Sequence, residues 1–210
     1  MTYAGKAEAC SSSTRIGGMP LMPVGFSWPT CATCARPMQF VAQLLLQDLS
    51  SFDAVQVANR RGMLSIFMCQ NDPGLCSDWD PASGGNRALL FPDVGLVPAA
   101  VPAQGNTLLP DACRIEYTKI GVDGYDEARN SWCRASDRPL PDVLGQLGGI
   151  PSWLQGDETQ SCPSCAQPMT FVAQFEEGND LRAAANFGGG GCGYSFACSP
   201  CQKAAFLWQC

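Results

Sequence analysis

The chain has 210 residues with a net charge of −6 from 13 basic and 19 acidic side chains, so it is long enough for a sizeable core. The acidic balance opposes nucleic-acid binding, which needs Lys and Arg against phosphates. There is no histidine, which excludes Ser-His-Asp and Cys-His catalysis, HExxH metal sites and a histidine general base within these residues.

Residues 1–16 read as a loose or edge segment with a polar tract over Ser11–Thr14. Gly17, Gly18, Pro20, Pro23, Gly25 and Pro29 then punctuate an extended, turn-rich path. Met38–Leu46 reads as a strand that both sides can cover, and Asp48–Val57 as a short helix or turn. Gly62–Cys69 is a second strand and Asn71–Gly74 a turn. Arg87–Phe91 is a strand that gives way to a Pro-rich loop reaching Pro110. Cys113–Ile120 alternates as a strand does, and Val122–Asp142 reads as a polar link holding a short helix over Asp126–Trp132. Val143–Leu147 leads into a strand-rich second part: Met169–Phe175, a short helix over Leu181–Ala185, then strands Tyr194–Cys198 and Ala204–Trp208. The high Gly and Pro content favours turns and short strands over long helices.

One block occurs twice. Residues 17–43 align with residues 148–174 without a gap at an offset of 131, and 13 of the 27 positions are identical. The shared positions include Gly-Gly-x-Pro, both cysteines of a C-x-x-C, the Ala after it, Pro-Met and Phe-Val-Ala-Gln. This is an internal duplication. The expected fold is α+β, mainly antiparallel β, with pseudo-two-fold symmetry. It forms a single compact domain over 1–210, built of two repeats (about 17–94 and about 146–210) joined by a connecting segment, 95–145.

Each half carries four cysteines in two pairs. Cys31 and Cys34 are followed by Cys69 and Cys76, and Cys162 and Cys165 by Cys198 and Cys201. The gaps between the pairs are 34 and 32 residues. Two short chelating turns brought together suit a tetrahedral four-thiolate zinc site, so two zinc-ribbon-like knuckles with two structural zinc ions are expected. The second half has C-x2-C twice, whereas the first has C-x6-C as its second pair. A redox C-x-x-C sits at a helix N-terminus; here each such pair precedes a strand-like run instead. Disulfides are disfavoured by the odd count of 13 cysteines and by an N-terminus without the apolar run of a signal peptide, so a cytoplasmic location is the expectation. Cys10, Cys113, Cys133, Cys192 and Cys210 remain as small core residues or free thiols. Cys192 or Cys210 replacing one of the eight ligands stays open at this point.

Three further features read more plainly. The run Gly188–Gly191 lacks the context of a phosphate loop and is a turn. Asp78, Asp80 and Asp93 fit solvated loop positions better than a carboxylate site. Trp28 and Trp153 do not align between the repeats and are core residues or the lining of a partner groove.

The pattern Gly17-Gly18-x-Pro20, Trp28-Pro29, Cys31, Cys34, Pro37-Met38-x-Phe40-x-Ala42-Gln43 and Gly62-x-Leu64-x-Ile66-Phe67-x-Cys69 resembles the YwqG-like family of bacterial proteins. The second block, with Cys162 and Cys165, is also similar to features of eukaryotic programmed-cell-death-protein-2-like proteins. The resemblance spans the chain apart from residues 1–16 and roughly 95–145. It implies the fold, structural zinc, and protein binding or chaperoning rather than catalysis.

The function expected is a non-enzymatic protein-binding module with structural zinc. It is an immunity or neutralising protein for a toxin, or a chaperone-like protein for a client, with a basic partner. The alternatives are a Cys- or carboxylate-dependent enzyme and a zinc-ribbon nucleic-acid binder. No stretch is apolar and long enough to cross a bilayer.

Overall fold

The computed structural model describes residues 1–50, 61–178, 180 and 184–210. Its elements are β1 (Thr2–Lys6), β2 (Arg15–Ile16), β3 (Leu21–Pro23), β4 (Gln39–Leu45), α1 (Leu46–Ser50), β5 (Met63–Met68), β6 (Asn86–Phe91), β7 (Leu96–Pro98), β8 (Cys113–Glu116), α2 (Tyr125–Ser136), β9 (Gly145–Leu147), β10 (Thr170–Glu176), β11 (Cys192–Cys198) and β12 (Lys203–Gln209). The strands form a six-stranded sheet in the order β1-β8-β2-β4-β5-β6, a four-stranded sheet β12-β11-β10-β9 and a small β3-β7 pair. The architecture is α+β and mainly antiparallel.

The duplication is written into the strand register. β2-β4-β5-β6 and β9-β10-β11-β12 run in the same order. Arg15 and Ile16 face Gln43 and Ala42, and Gln146 and Leu147 face Gln174 and Ala173, at the repeat offset. Both halves also shift register at one equivalent place, between Phe40 and Ala42 and between Phe171 and Ala173. A bulge there lets neighbouring residues serve one core. Val41 and Ala42 in the first half, and Val172 and Ala173 in the second, all enter the largest hydrophobic cluster, while Phe40 and Phe171 enter separate ones.

That largest cluster draws from both sheets, with Ile16, Leu64 and Ile66 alongside Phe175, Phe187 and Phe206. β5 and β11 are buried along their whole length, which explains why their sequences are nearly continuously apolar rather than alternating. β12 lies against β6, where the rings of Trp79 and Trp208 meet edge to face at 6.3 Å. Two satellite clusters each sit under one set of cysteines. Met38 and Phe67 surround Cys31, Cys69 and Cys76; Met169 and Phe196 surround Cys162 and Cys198.

Several boundaries differ from expectation. The segment read as loose or edge contains β1 and β2; β1 is indeed the sheet edge, whereas β2 lies inside the sheet. β8 stops at Glu116 rather than Ile120, and α2 runs longer than Asp126–Trp132 because both Tyr125 and Trp132 are buried on its inner face. Val143–Leu147 contributes a paired strand, β9. α1 starts at Leu46, and residues 51–57 of the expected helix lie outside the described residues. Ala184 and Ala185 are not helical, and residues 181–183 lie outside the described residues. Among the described residues no helix is long and apolar enough to cross a membrane.

Candidate metal centres

Each first cysteine pair sits on a tight hairpin that leads into a central strand. In the first half the Cys31 N–H donates to Arg36 O (3.0 Å), the Ala35 N–H to Cys31 O (2.9 Å) and the Met38 N–H to Pro29 O (2.9 Å). In the second half Cys162 donates to Gln167 O (2.8 Å), Ala166 to Cys162 O (2.8 Å) and Met169 to Gln160 O (2.7 Å). These bonds account for the repeated Pro-Met. Thr30 bridges to Pro37 and Ser161 to Pro168, and the methionine then supplies the N–H that the proline lacks.

The second pairs follow the next strand. Cys69 comes directly after β5, and Cys76 lies beyond a turn closed by the Leu75 N–H on Asp72 O (3.1 Å). Cys198 ends β11, and Cys201 follows a tighter turn in which Gln202 donates to Ser199 O (3.3 Å). The longer C-x6-C loop and the C-x2-C turn therefore deliver their sulfurs to equivalent places.

The two sets converge. Sγ atoms of Cys31, Cys34, Cys69 and Cys76 lie within 4.8 Å of one another, and so do those of Cys162, Cys165, Cys198 and Cys201. The Cys34–Cys69 separation is 3.7 Å and the Cys165–Cys198 separation 3.8 Å. A tetrahedron with metal–sulfur bonds of about 2.3 Å has edges of about 3.8 Å, so these separations fit a four-thiolate ion. Neither group includes Cys192 or Cys210. Cys192 is instead buried at the far end of β11 opposite Glu176, where Gln174 Nε2 lies 3.6 Å from its sulfur. Burial and the Glu176 carboxylate push its thiol up to about 12. Cys113 is a buried core thiol pushed up to about 11, chiefly by burial.

Backbone strain marks the same places. Among the described residues five non-glycine residues have positive φ, and four of them directly follow the second cysteine of a pair: Ala35 (57°), Ser77 (47°), Ala166 (58°) and Gln202 (52°). A left-handed residue turns the chain so that both preceding thiols point the same way, and such strain persists only where something holds it.

The thiols of each set divide their protons unevenly. Burial favours the neutral Cys34 thiol, but the Arg36 backbone N–H, the Cys69 thiol and the Arg36 side chain outweigh it and hold Cys34 at about 7. Burial is likewise outweighed at Cys162, where the N–H groups of Ser164 and Cys165 bring it to about 6. Their neighbours pay the opposite way: Cys76 is pushed up by burial and by the adjacent thiols, and Cys201 to about 12 by the Cys165 and Cys198 sulfurs. Four sulfurs this close cannot all ionise without a cation between them. Around the first set, Asn71 Nδ2 donates to Pro37 O (2.8 Å) and lies 3.5 Å from Cys69 Sγ, while Arg36 pairs with Asp72 across the two cysteine loops. Asn71 had no signal in the repeat, because the second half uses a shorter turn there, and Arg36 stands where the second block has Gln167.

The remaining features settle differently. Asp78 is buried rather than solvated; Gln70 Nε2 lies 3.3 Å from its carboxylate and burial raises its pKa. The glycine run folds around a carboxylate, with the N–H groups of Gly189 (2.9 Å), Gly190 and Gly191 (3.2 Å) donating to Glu177 Oε2. Trp28 and Trp153 both pack against equivalent phenylalanines, Phe67 at 5.6 Å and Phe196 at 6.0 Å, although they enter from non-equivalent positions.

The sheets and thiol sets define a duplicated antiparallel-sheet protein with two four-cysteine sites compatible with metal binding. Residues 14–200 match the family described as "Domain of unknown function (DUF1963)", and the chain belongs to that family. It is also similar to the "Uncharacterized protein YpfL" of Salmonella typhimurium (strain LT2), with 39% identity over 72 residues, which is 33% of this chain and 16% of that protein. The chain thus spans about a sixth of that relative's length. No solved structure matches.

Proposed function

We propose that the chain is a non-enzymatic protein-binding module whose two thiol sets each hold a structural zinc ion. The convergence of four sulfurs at tetrahedral separations in each half supports zinc, because a d¹⁰ ion with four thiolate ligands is closed to substrate. The two most ionisable of the perturbed thiols, Cys34 and Cys162, belong to these sets, so their low pKa values serve metal binding as well as they would a nucleophile. The partner is a basic protein, suited to the net charge of −6, and the role is that of an immunity or neutralising protein or a chaperone-like escort in the cytoplasm. In this reading the chain is a single domain of two repeats, and the YwqG-like resemblance supplies its relatives.

Elemental analysis of protein purified without added metal tests the zinc, with two ions per chain expected. Metal-free preparations, or another metal in its place, would remove the proposal's first half. The second half is tested by salt-sensitive association with a purified basic partner, weakened by reversing Asp123, Asp126 and Glu127, which are exposed around the start of α2.

A further inference from the structure

The repeats differ at one sheet edge. In the first half β8 lies along the outer side of β2, with Cys113 opposite Ile16 and Arg114 opposite Arg15. In the second half the equivalent strand, β9, ends its sheet; Met1 caps its start, with its amine donating to Gly145 O (2.8 Å) and Thr2 bridged to Val143, and no strand pairs with the outer side of Leu147 among the described residues. The other edge of that sheet, β12, lies against β6.

The backbone of β9 is oriented for a further strand. The Gly148 N–H donates inward to Val172 O (2.8 Å), as Gly17 does to Val41 O (2.7 Å) in the first half. Alternation then turns the N–H and C=O of Leu147 outward, as those of Ile16 are turned toward Cys113. Beside this edge a groove of about 740 Å³ separates β9 and the following Gly-Gly-Ile-Pro loop from α2. Its walls include Tyr125, Trp132, Val122 and Ile150, and Ile150 is 84% exposed. Lys119 and Arg129 also line it, and Arg129 is held by Glu176 and Asp126. Asp123 forms part of the rim, next to exposed Asp126 and Glu127.

We infer that this groove takes an extended peptide of a partner protein, added antiparallel to β9 at Leu147, beyond the Gly145 carbonyl that Met1 already occupies, where Cys113 of β8 pairs in the first half. The chain's own β8 shows the pattern wanted: Cys113 and Ile115 are buried while Arg114 and Glu116 are exposed. The peptide is therefore apolar at alternate positions, one of them opposite Leu147, with basic residues toward the Asp123 rim. Main-chain bonds to Leu147 supply affinity, and the apolar wall of α2 and Ile150 supplies selectivity. This deepens the protein-binding reading and rests on it.

The test selects peptides from a random phage-displayed library on the full zinc-loaded chain and measures synthetic copies by fluorescence anisotropy. Peptides with alternating apolar and Lys/Arg positions are expected to emerge. Leu147→Pro removes the outward N–H without touching the inward ladder, and Ile150→Lys places a charge on the exposed wall. Each is expected to weaken the peptides about tenfold or more, with zinc content and melting temperature kept by Ile150→Lys even if Leu147→Pro perturbs the strand. Peptides that bind both variants as well as the parent would overturn the groove while leaving a protein-binding module in place. An empty selection would count against the groove and the module together. Self-association that Leu147→Pro abolishes would show a second copy at this edge and overturn the peptide assignment.

Discussion

The Arg15 guanidinium donates to Gln43 Oε1 at 3.2 Å, and the corresponding pair of the second repeat, Gln146 and Gln174, makes the same contact at 3.0 Å. The parallel goes further. Arg15 also bonds Met19 O, and Gln146 bonds Ile150 O (3.0 Å), the carbonyl at the same place in Gly-Gly-x-Pro. The glutamine that ends Phe-Val-Ala-Gln is thus a clamp on the turn at the start of its own block. It is buried in both halves, so it is retained for what it bonds and not for solubility.

Breaking that clamp strands polar groups. Gln174→Leu leaves the Ser152 N–H, now 2.9 Å from Gln174 Oε1, and the Gln146 amide without their acceptor. The expected loss is about 1–3 kcal/mol, or a melting temperature lower by about 2–4 °C per kcal/mol for a chain of this size. Arg15→Met should cost more, because Arg15 also bonds the carbonyls of Ser11 and Gly17 from a fully buried position. Arg15→Gln copies the second repeat and should fall between Arg15→Met and the parent in thermal melts. Equal melting of the two Arg15 variants would contradict the clamp.

The left-handed residues after the cysteines give a second expectation. Ala35→Val and Ala166→Val put a branched side chain at φ near 57° and 58°. Alanine already bears a left-handed cost of about 1–2 kcal/mol relative to glycine, and a β-branched side chain adds to it, on the turn that aims the thiols. Zinc should therefore pass faster to a competing chelator from each variant, while Ala35→Gly and Ala166→Gly keep or slow the parental rate. Release rates that ignore both substitutions would detach this backbone from metal holding.

The strong signals in the sequence were the ones that repeat. The duplicated block foretold the shared register, and the spacing of Cys31, Cys34, Cys162 and Cys165 foretold two sets that the fold does bring together with Cys69, Cys76, Cys198 and Cys201. Central strands such as β5 and β11 were legible because burial on both faces leaves long apolar runs. β2 and β9 were not, since two or three residues carry no period, and their existence depends on the neighbours they pair with. Arg15 was invisible as the counterpart of Gln146 because the two are chemically different solutions to one set of acceptors. Asp78 read as a surface residue, whereas the Trp79 region packs against β12 and Gln70 and Asn86 bond Asp78 from within the fold.

Proton uptake in the metal-stripped chain supplies a third check. Cys162, held at about 6 against an ordinary 9.0, favours folding fully above about pH 9, and that contribution is lost as pH falls through 6. Cys201, held at about 12, favours folding below 9.0 and loses that contribution as pH rises through 12. Thiolate absorbance of the stripped protein should then show early steps near 6 and near 7, removed by Cys162→Ser and Cys34→Ser respectively. Adding zinc at neutral pH should release protons and abolish both steps. Titration curves that are the same with and without zinc would argue against thiolate ligation.

The last comparison uses one ligand and one bystander. Cys165 and Cys113 are both unpaired thiols on equally small side chains, but Cys165 lies in the second sulfur set and Cys113 packs in the shared core opposite Ile16. Structural zinc contributes roughly 10–16 kcal/mol in small peptides. In a chain with its own core the share is smaller, yet still large against a total margin of about 5–15 kcal/mol. Cys165 is also exposed, so without a metal its replacement by serine would cost almost nothing. Cys165→Ser is therefore expected to lower the melting temperature more than Cys113→Ser, and to raise amide exchange around Cys162, Cys198 and Cys201 before it reaches β4 and β5. In chelator-treated protein the order should reverse, since serine at the buried Cys113 then carries the larger penalty. A Cys165→Ser variant that melts with the parent, with its zinc content intact, would remove Cys165 from the ligand set.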